Sequence, residues 1–283
     1  MHYARLIATK KLTAGAAFAA LLAGSQVAFA AGAQIAPHRA VYDMSLISAE
    51  ERAGIRAARG RLAVEIAATD CEGWTVNVRF VNQFTMRRGN SSLLDIQNSS
   101  YEASDGSLMQ FFTREYVNSR LQLEAKGVAR AGNSGGNVKM TKPKEESFSL
   151  PGNTAFPISH TVRLLKLARK GEQLDEVSLY EGSAEQKVFT ANSAIGKKKA
   201  GGERKFLKGG KHLEPLKSVN SWPVSVSYYD PAKKGEGEET PSHQMSFALF
   251  DNGVTGDMTI DYGDFKMKGA LTHLEMLDDP GCE

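Results

Sequence analysis

Gly132-Asn133-Ser134-Gly135-Gly136 is the stretch of this chain whose spacing comes nearest to a reactive site. Gly-x-Ser-x-Gly presents a nucleophilic serine when the turn joins a strand to a helix, with a base beside the hydroxyl. Here the motif lies between two strand-like runs, with Arg130 and Lys139 on either side and no helical pattern after it. A glycine-rich hairpin loop accounts for it. The histidines beyond the leader described below (His38, His160, His212, His243 and His273) never pair as His-x-x-x-His or His-Glu-x-x-His, so no zinc site is expected. No phosphate-cradling glycine loop or dinucleotide fingerprint occurs. The sequence therefore predicts no catalytic residue, no metal site and no cofactor. Linear sequence does not show whether two carboxylates face each other, so a glycosidase-type pair stays open.

Two cysteines, Cys71 and Cys282, remain as chemistry-bearing groups. Their setting is given by the first thirty residues. Arg5, Lys10 and Lys11 precede an Ala- and Leu-rich run from Leu12 to Gly24, and Ala28-Phe29-Ala30 is a small-x-small cleavage box. This order reads as a secretory signal peptide cut after Ala30, with Ala28 and Ala30 as the recognition residues. No cysteine sits at the cut to be lipidated. An even cysteine count in an exported chain fits a disulfide, and two buried thiols are the alternative. The two positions are 211 residues apart, and closing a loop of that length is worth about 5 kcal/mol in the chain-entropy model.

Removal of 30 residues from 283 leaves 253, a length suited to one domain over 31–283. The leader takes three of the 35 basic residues and none of the 32 acidic ones, so the remainder is formally neutral. The basic isoelectric point belongs to the leader-bearing chain, and nucleic-acid binding is not expected. No later apolar run reaches the roughly 20 residues that span a bilayer.

Period-two alternation dominates. It runs from Arg61 to Ile66, resumes at Trp74–Val81, and recurs in 108–118, 120–129, 174–180, 186–191, 224–229, 244–250, 258–262 and 265–276. Asp251-Asn252-Gly253 and Tyr262-Gly263-Asp264 read as hairpin turns. The fold class is thus all-β and mainly antiparallel. One segment has helical spacing: in 157–170, Ile158, Val162, Leu165 and Ala168 share a face, after Pro157 and before Gly171. Gly- and Lys-rich 196–211 and Pro- and Glu-rich 230–242 read as solvated loops. If the sheet curls, its inner face is either a filled core or an apolar pocket, and residue types alone do not separate the two.

Ala36-Pro37-His38-Arg39-Ala40-Val41-Tyr42, Gly60-Arg61-Leu62, Asp70-Cys71-Glu72-Gly73-Trp74, Phe156-Pro157-Ile158-Ser159-His160 and the late Cys282 occur in that order. Together they resemble the EipB family of periplasmic envelope-integrity proteins, across essentially the whole exported chain. The resemblance implies a many-stranded antiparallel β-spiral, curled like an open barrel, with one packed helix. It implies a disulfide between Cys71 and Cys282, and a shape similar to the lipoprotein carriers LolA and LolB. It also implies a non-enzymatic role in envelope integrity and stress resistance, exercised in the periplasm. The expected partner is a periplasmic protein, with tetratricopeptide-repeat proteins as candidates. A lipid or lipoprotein cargo is the alternative, and an envelope-acting hydrolase is the third reading that the sequence leaves open.

Overall fold

The structure is a computed structural model that describes residues 35–69, 72–182, 187–202, 211–231 and 240–280. Its strands are β1 (His38–Ala49), β2 (Ile55–Thr69), β3 (Gly73–Met86), β4 (Ser91–Ala103), β5 (Leu108–Val117), β6 (Arg120–Arg130), β7 (Gly136–Lys142) and β8 (Glu146–Leu150). One helix, α1 (Pro157–Lys170), follows. Then come β9 (Leu174–Leu179), β10 (Phe189–Ile195), β11 (Ser221–Tyr229), β12 (His243–Phe250), β13 (Thr255–Asp261) and β14 (Phe265–Met276).

All 14 strands form one sheet in the order β8-β7-β6-β5-β4-β3-β2-β1-β14-β13-β12-β11-β10-β9. Every pairing is antiparallel, and except at one join each strand pairs with its neighbours in the chain, most of them through short turns. Gly253 and Gly263 take the left-handed conformation that two of those turns need, at φ +84° and +83°. The one join between distant strands is β1 with β14, where His38 faces Met276. The ladder does not close. Its edges are β8 and β9; Ala155, five residues past the end of β8, forms a parallel bridge to β9, in which the Ala155 N–H donates to Ser178 O at 2.8 Å and the Tyr180 N–H donates to Ala155 O at 3.0 Å.

Side chains reaching across the inside show how tightly the sheet curls. Phe84 of β3 meets Phe265 of β14 edge-on at 6.1 Å, and Asn82 Nδ2 reaches Met267 Sδ at 3.6 Å, with β2 and β1 lying between those strands in the sheet. Tyr42, Met44, Met258, Met267 and Leu271 fill the core there.

The predicted helix over 157–170 is the observed one. Pro157 suits its first position, and Gly171 closes it at φ +80°. Its buried face, Ile158, His160, Leu164, Leu165 and Ala168, lies inside the curl. Leu164, Leu165 and Ala168 pack with Val177, Ala191, Trp222, Val224 and Leu249, while Ile158 packs with Ile35 and Ile66. Of the loop expected over 196–211, residues 203–210 lie outside the described residues; Lys199 bridges to Ser221, and the short helix Lys211–Leu216 that follows buries Leu213 and Leu216 in the core. Two apolar residues in a short polar stretch carry no periodicity, so the sequence does not announce this anchor.

Candidate functional site

Alternation sends every second side chain of a strand to the inner face, and directly paired residues share that face. The rows that cross the sheet can therefore be read from the register. One row runs Tyr42, Leu62, Phe80, Ile96, Glu115, Leu123. The next runs Ala40, Val64, Val78, Asn98, Thr113, Ala125. Both start at a buried residue of β1, and the second ends at buried Ala125, yet the members on β2 to β5 are only half-buried. A fully packed interior would bury them. The inner face over β2–β5 is accordingly a concave, mostly apolar surface that keeps contact with water. Its apolar residues are interrupted by hydrogen-bonding groups: Asn98 Nδ2 donates to Thr113 Oγ1 at 2.8 Å, with Ser100 and Glu115 nearby on the same face.

The outer face of the same strands is chemically unlike it. Arg39 pairs with Glu65 and Glu275, Arg61 with Asp43 at 3.1 Å, Arg79 with Asp95 at 3.0 Å, and Arg114 with Glu124 at 3.0 Å. Arg114 also lies 4.4 Å over the Phe112 ring. Cross-strand charge pairs of this kind fix register and solubility and leave little unsatisfied charge for a ligand.

Helix α1 sits over one end of the curl, and a buried carboxylate holds its N-terminus. Glu102 of β4, 1 % exposed, accepts from the Ile158 N–H at 3.0 Å and the Ser159 N–H at 3.3 Å. Burial pushes this carboxyl up to about 7, against the pull of those two backbone bonds. Two ion pairs fasten the rest of the helix: Arg163 to Asp175 of β9 at 2.6 Å, and Arg169 to Asp251 of the β12–β13 turn at 2.6 Å. His160, buried, lies 3.5 Å from Ser193 Oγ; burial lowers its imidazole to about 4, so it packs as a neutral ring. His38 is likewise lowered by burial and bonds to Ala36 O at 2.7 Å through Nδ1.

At the opposite end of the strands runs a row of rings. Phe189 meets Tyr228 at 6.1 Å, Tyr228 stacks on His243 at 4.2 Å, His243 faces Tyr262 at 6.2 Å, and Tyr262 stacks on Phe265 at 4.7 Å. Burial first, and the charge of Glu181 second, hold the phenols of Tyr228 and Tyr262 above their ordinary range.

Ser134 is exposed in the β6–β7 hairpin turn, as expected of a glycine-rich loop. His212 and His273 come within 4.8 Å of each other on the surface. Among the described residues no group of three His, Cys, Asp or Glu side chains could hold a metal ion, and no helix is long and apolar enough to cross a membrane. Cys71, Cys282 and the cleavage residues Ala28 and Ala30 lie outside the described residues. Sequence reasoning did not find Glu102, whose partner is 56 positions away, nor the inner rows, whose composition is mixed.

A family model described as EipB-like matches residues 29–278. The chain is similar to the cell envelope integrity protein EipB of Brucella abortus (strain 2308), with 33 % identity over 250 residues, covering 88 % of this chain and 87 % of that protein. It is also similar in structure to a β-barrel-like protein of a domain of unknown function from Brucella abortus, with a TM-score of 0.79 and 32 % identity over 87 % of this chain and 99 % of that one.

Proposed function

From the premise that the chain belongs to the EipB-like family, we propose that it is a non-catalytic periplasmic protein that supports cell-envelope integrity and stress resistance by binding a protein partner on its inner face. One observation carries the choice of ligand: the half-open rows of β2–β5 set Asn98, Ser100, Thr113 and Glu115 among Leu62, Val78, Phe80 and Ile96. A polypeptide offers backbone groups to the polar members and side chains to the apolar ones. A bare acyl chain would offer the polar members no hydrogen bond beyond the Asn98–Thr113 one they already make, at a cost of about 1–3 kcal/mol for each group left unpaired. The lipid or lipoprotein cargo remains the second reading, favoured by the unbroken apolar patch of Val64, Val78, Leu62 and Phe80 on the same face.

The experiment places a photo-crosslinking residue at Val78 and, as a control, at outward-facing Gln97, in cells, and identifies the attached species by mass spectrometry. A discrete protein adduct at 78 and none at 97 is the expected result. Adducts confined to lipid masses would replace this reading with the second, and no adduct at 78 would defeat both.

We also propose that Cys71 and Cys282 form a disulfide. The residues beside them support it. The turn after Thr69 and the tail after Leu277 lie at the same end of the sheet, where the Leu277 N–H donates to Pro37 O at 2.9 Å and only β1 separates β14 from β2.

A further inference from the structure

Edge strands expose unpaired backbone groups, and native sheets blunt them with lysine, proline, bulges or a covering segment. At one edge, β8 is preceded by Lys142-Pro143-Lys144. The other edge, β9, lacks lysine, proline and a bulge; Ala155 covers only part of it, and of its two acidic residues Asp175 is taken by Arg163. Leu174 is 78 % exposed. The direction of its backbone groups follows from two observations. Gln173 O accepts from Ile195, so odd-numbered residues face β10; Ser178 O and Tyr180 N bond Ala155, so even-numbered residues face outward. Ala155 uses the far half of that edge. The backbone groups of Leu174 and Glu176 point to the free half.

A groove of about 600 Å³ runs along α1 and reaches β9 at Val177, the residue after Glu176. Val177 and Ala155 form its wall with Val162 and Leu167 of α1, and Lys166 and Lys170 stand on its rim. Both lysines are exposed, and among the described residues neither has an ion-pair partner, whereas Arg163 in the same groove is taken by Asp175. The carboxylate across the groove, Asp105, accepts the Ser107 N–H in its own turn. Glu176 alternates to the outer face, away from the two lysines.

We propose that the free half of the β9 edge docks an extended, acidic segment of a protein partner by strand addition. The segment continues along β9 from where Ala155 leaves off. Its backbone pairs with Leu174 and Glu176, its carboxylates point into the groove towards Lys166 and Lys170, and the apolar side chains between them lie on the outer face beside exposed Leu174. This surface is distinct from the inner face and does not depend on binding there.

The probe is a fluorescein-labelled, N-acetylated octapeptide of alternating Val and Glu, followed by anisotropy with the full exported chain. The expected result is saturable binding that a Val/Lys octapeptide does not reproduce. It weakens at least tenfold on N-methylation of alternate peptide amides and in the Lys166→Glu/Lys170→Glu variant. Glu176→Pro should also abolish it without changing the melting temperature, since the proline removes only an outward-facing N–H. Absence of binding would overturn the proposal. So would binding indifferent to N-methylation and to Glu176→Pro, which would mark attraction by the lysines alone. A concentration-dependent dimer that Glu176→Pro dissolves would give the edge to a second copy of this chain instead.

Discussion

Glu102 and His160 lie at the N-terminal half of one helix and titrate with opposite consequences for stability. Glu102 has its folded pKa raised from 4.5 to about 7, so its contribution is complete below about pH 4.5 and is lost as pH rises to 7. His160 has its folded pKa lowered from 6.5 to about 4, so its contribution is complete above pH 6.5 and is lost as pH falls towards 4. His38 acts in the same direction as His160. Between pH 4.5 and 6.5 the two effects oppose each other, and the wild type should show a flat stability profile there. Glu102→Gln should tilt the profile, with stability falling on acidification. The wild-type advantage over this variant should shrink by up to roughly 3 kcal/mol from pH 4.5 to 7. Urea melts at half-unit pH steps test this, and parallel profiles for the two proteins would refute it.

Helix α1 closes one end of the curl through its apolar face, so its hold should be sensitive to packing more than to charge. Leu165 is fully buried, and Leu165→Ala should cost about 2–5 kcal/mol and expose a surface that binds a hydrophobic dye. Arg169→Ala removes a partly exposed pair and should cost at most about 1 kcal/mol. A calorimetric comparison that reversed this order would show that ion pairs fasten the helix. The helix and the turns at Gly253 and Gly263 were legible because each depends on residues close in sequence. β4 was not. Ser91–Ser100 reads Ser-Ser-Leu-Leu-Asp-Ile-Gln-Asn-Ser-Ser, with polar residues on both faces, because its outer side is wet and its inner side lines the water-bearing hollow. The feature that makes the site thus erased the alternation that would have revealed its strand. Glu102 stayed hidden for a different reason: a cap supplied by another strand leaves no local signature at the helix start, where Phe156 has no side-chain acceptor.

For the molecule as a whole, the proposed Cys71–Cys282 bond would anchor the tail beyond β14 to the turn between β2 and β3. Cys71→Ser should lower the melting temperature under oxidising conditions and barely alter it in reductant. Wild-type melting identical in both redox states would refute the bond.

The join between β1 and β14 has a consequence in time. Every other ladder contact in the sheet is between strands consecutive in the chain, so two arcs, β1–β8 and β9–β14, can each form from local hairpins. Their union pairs His38 with Met276, and that pairing needs residues near both ends of the sequence. A chain that emerges N-terminus first therefore holds the long edge of β1 unpaired until its last strand arrives. During that interval the edge is sticky, and the nascent protein is most in need of a chaperone then, a vulnerability that its finished form does not display.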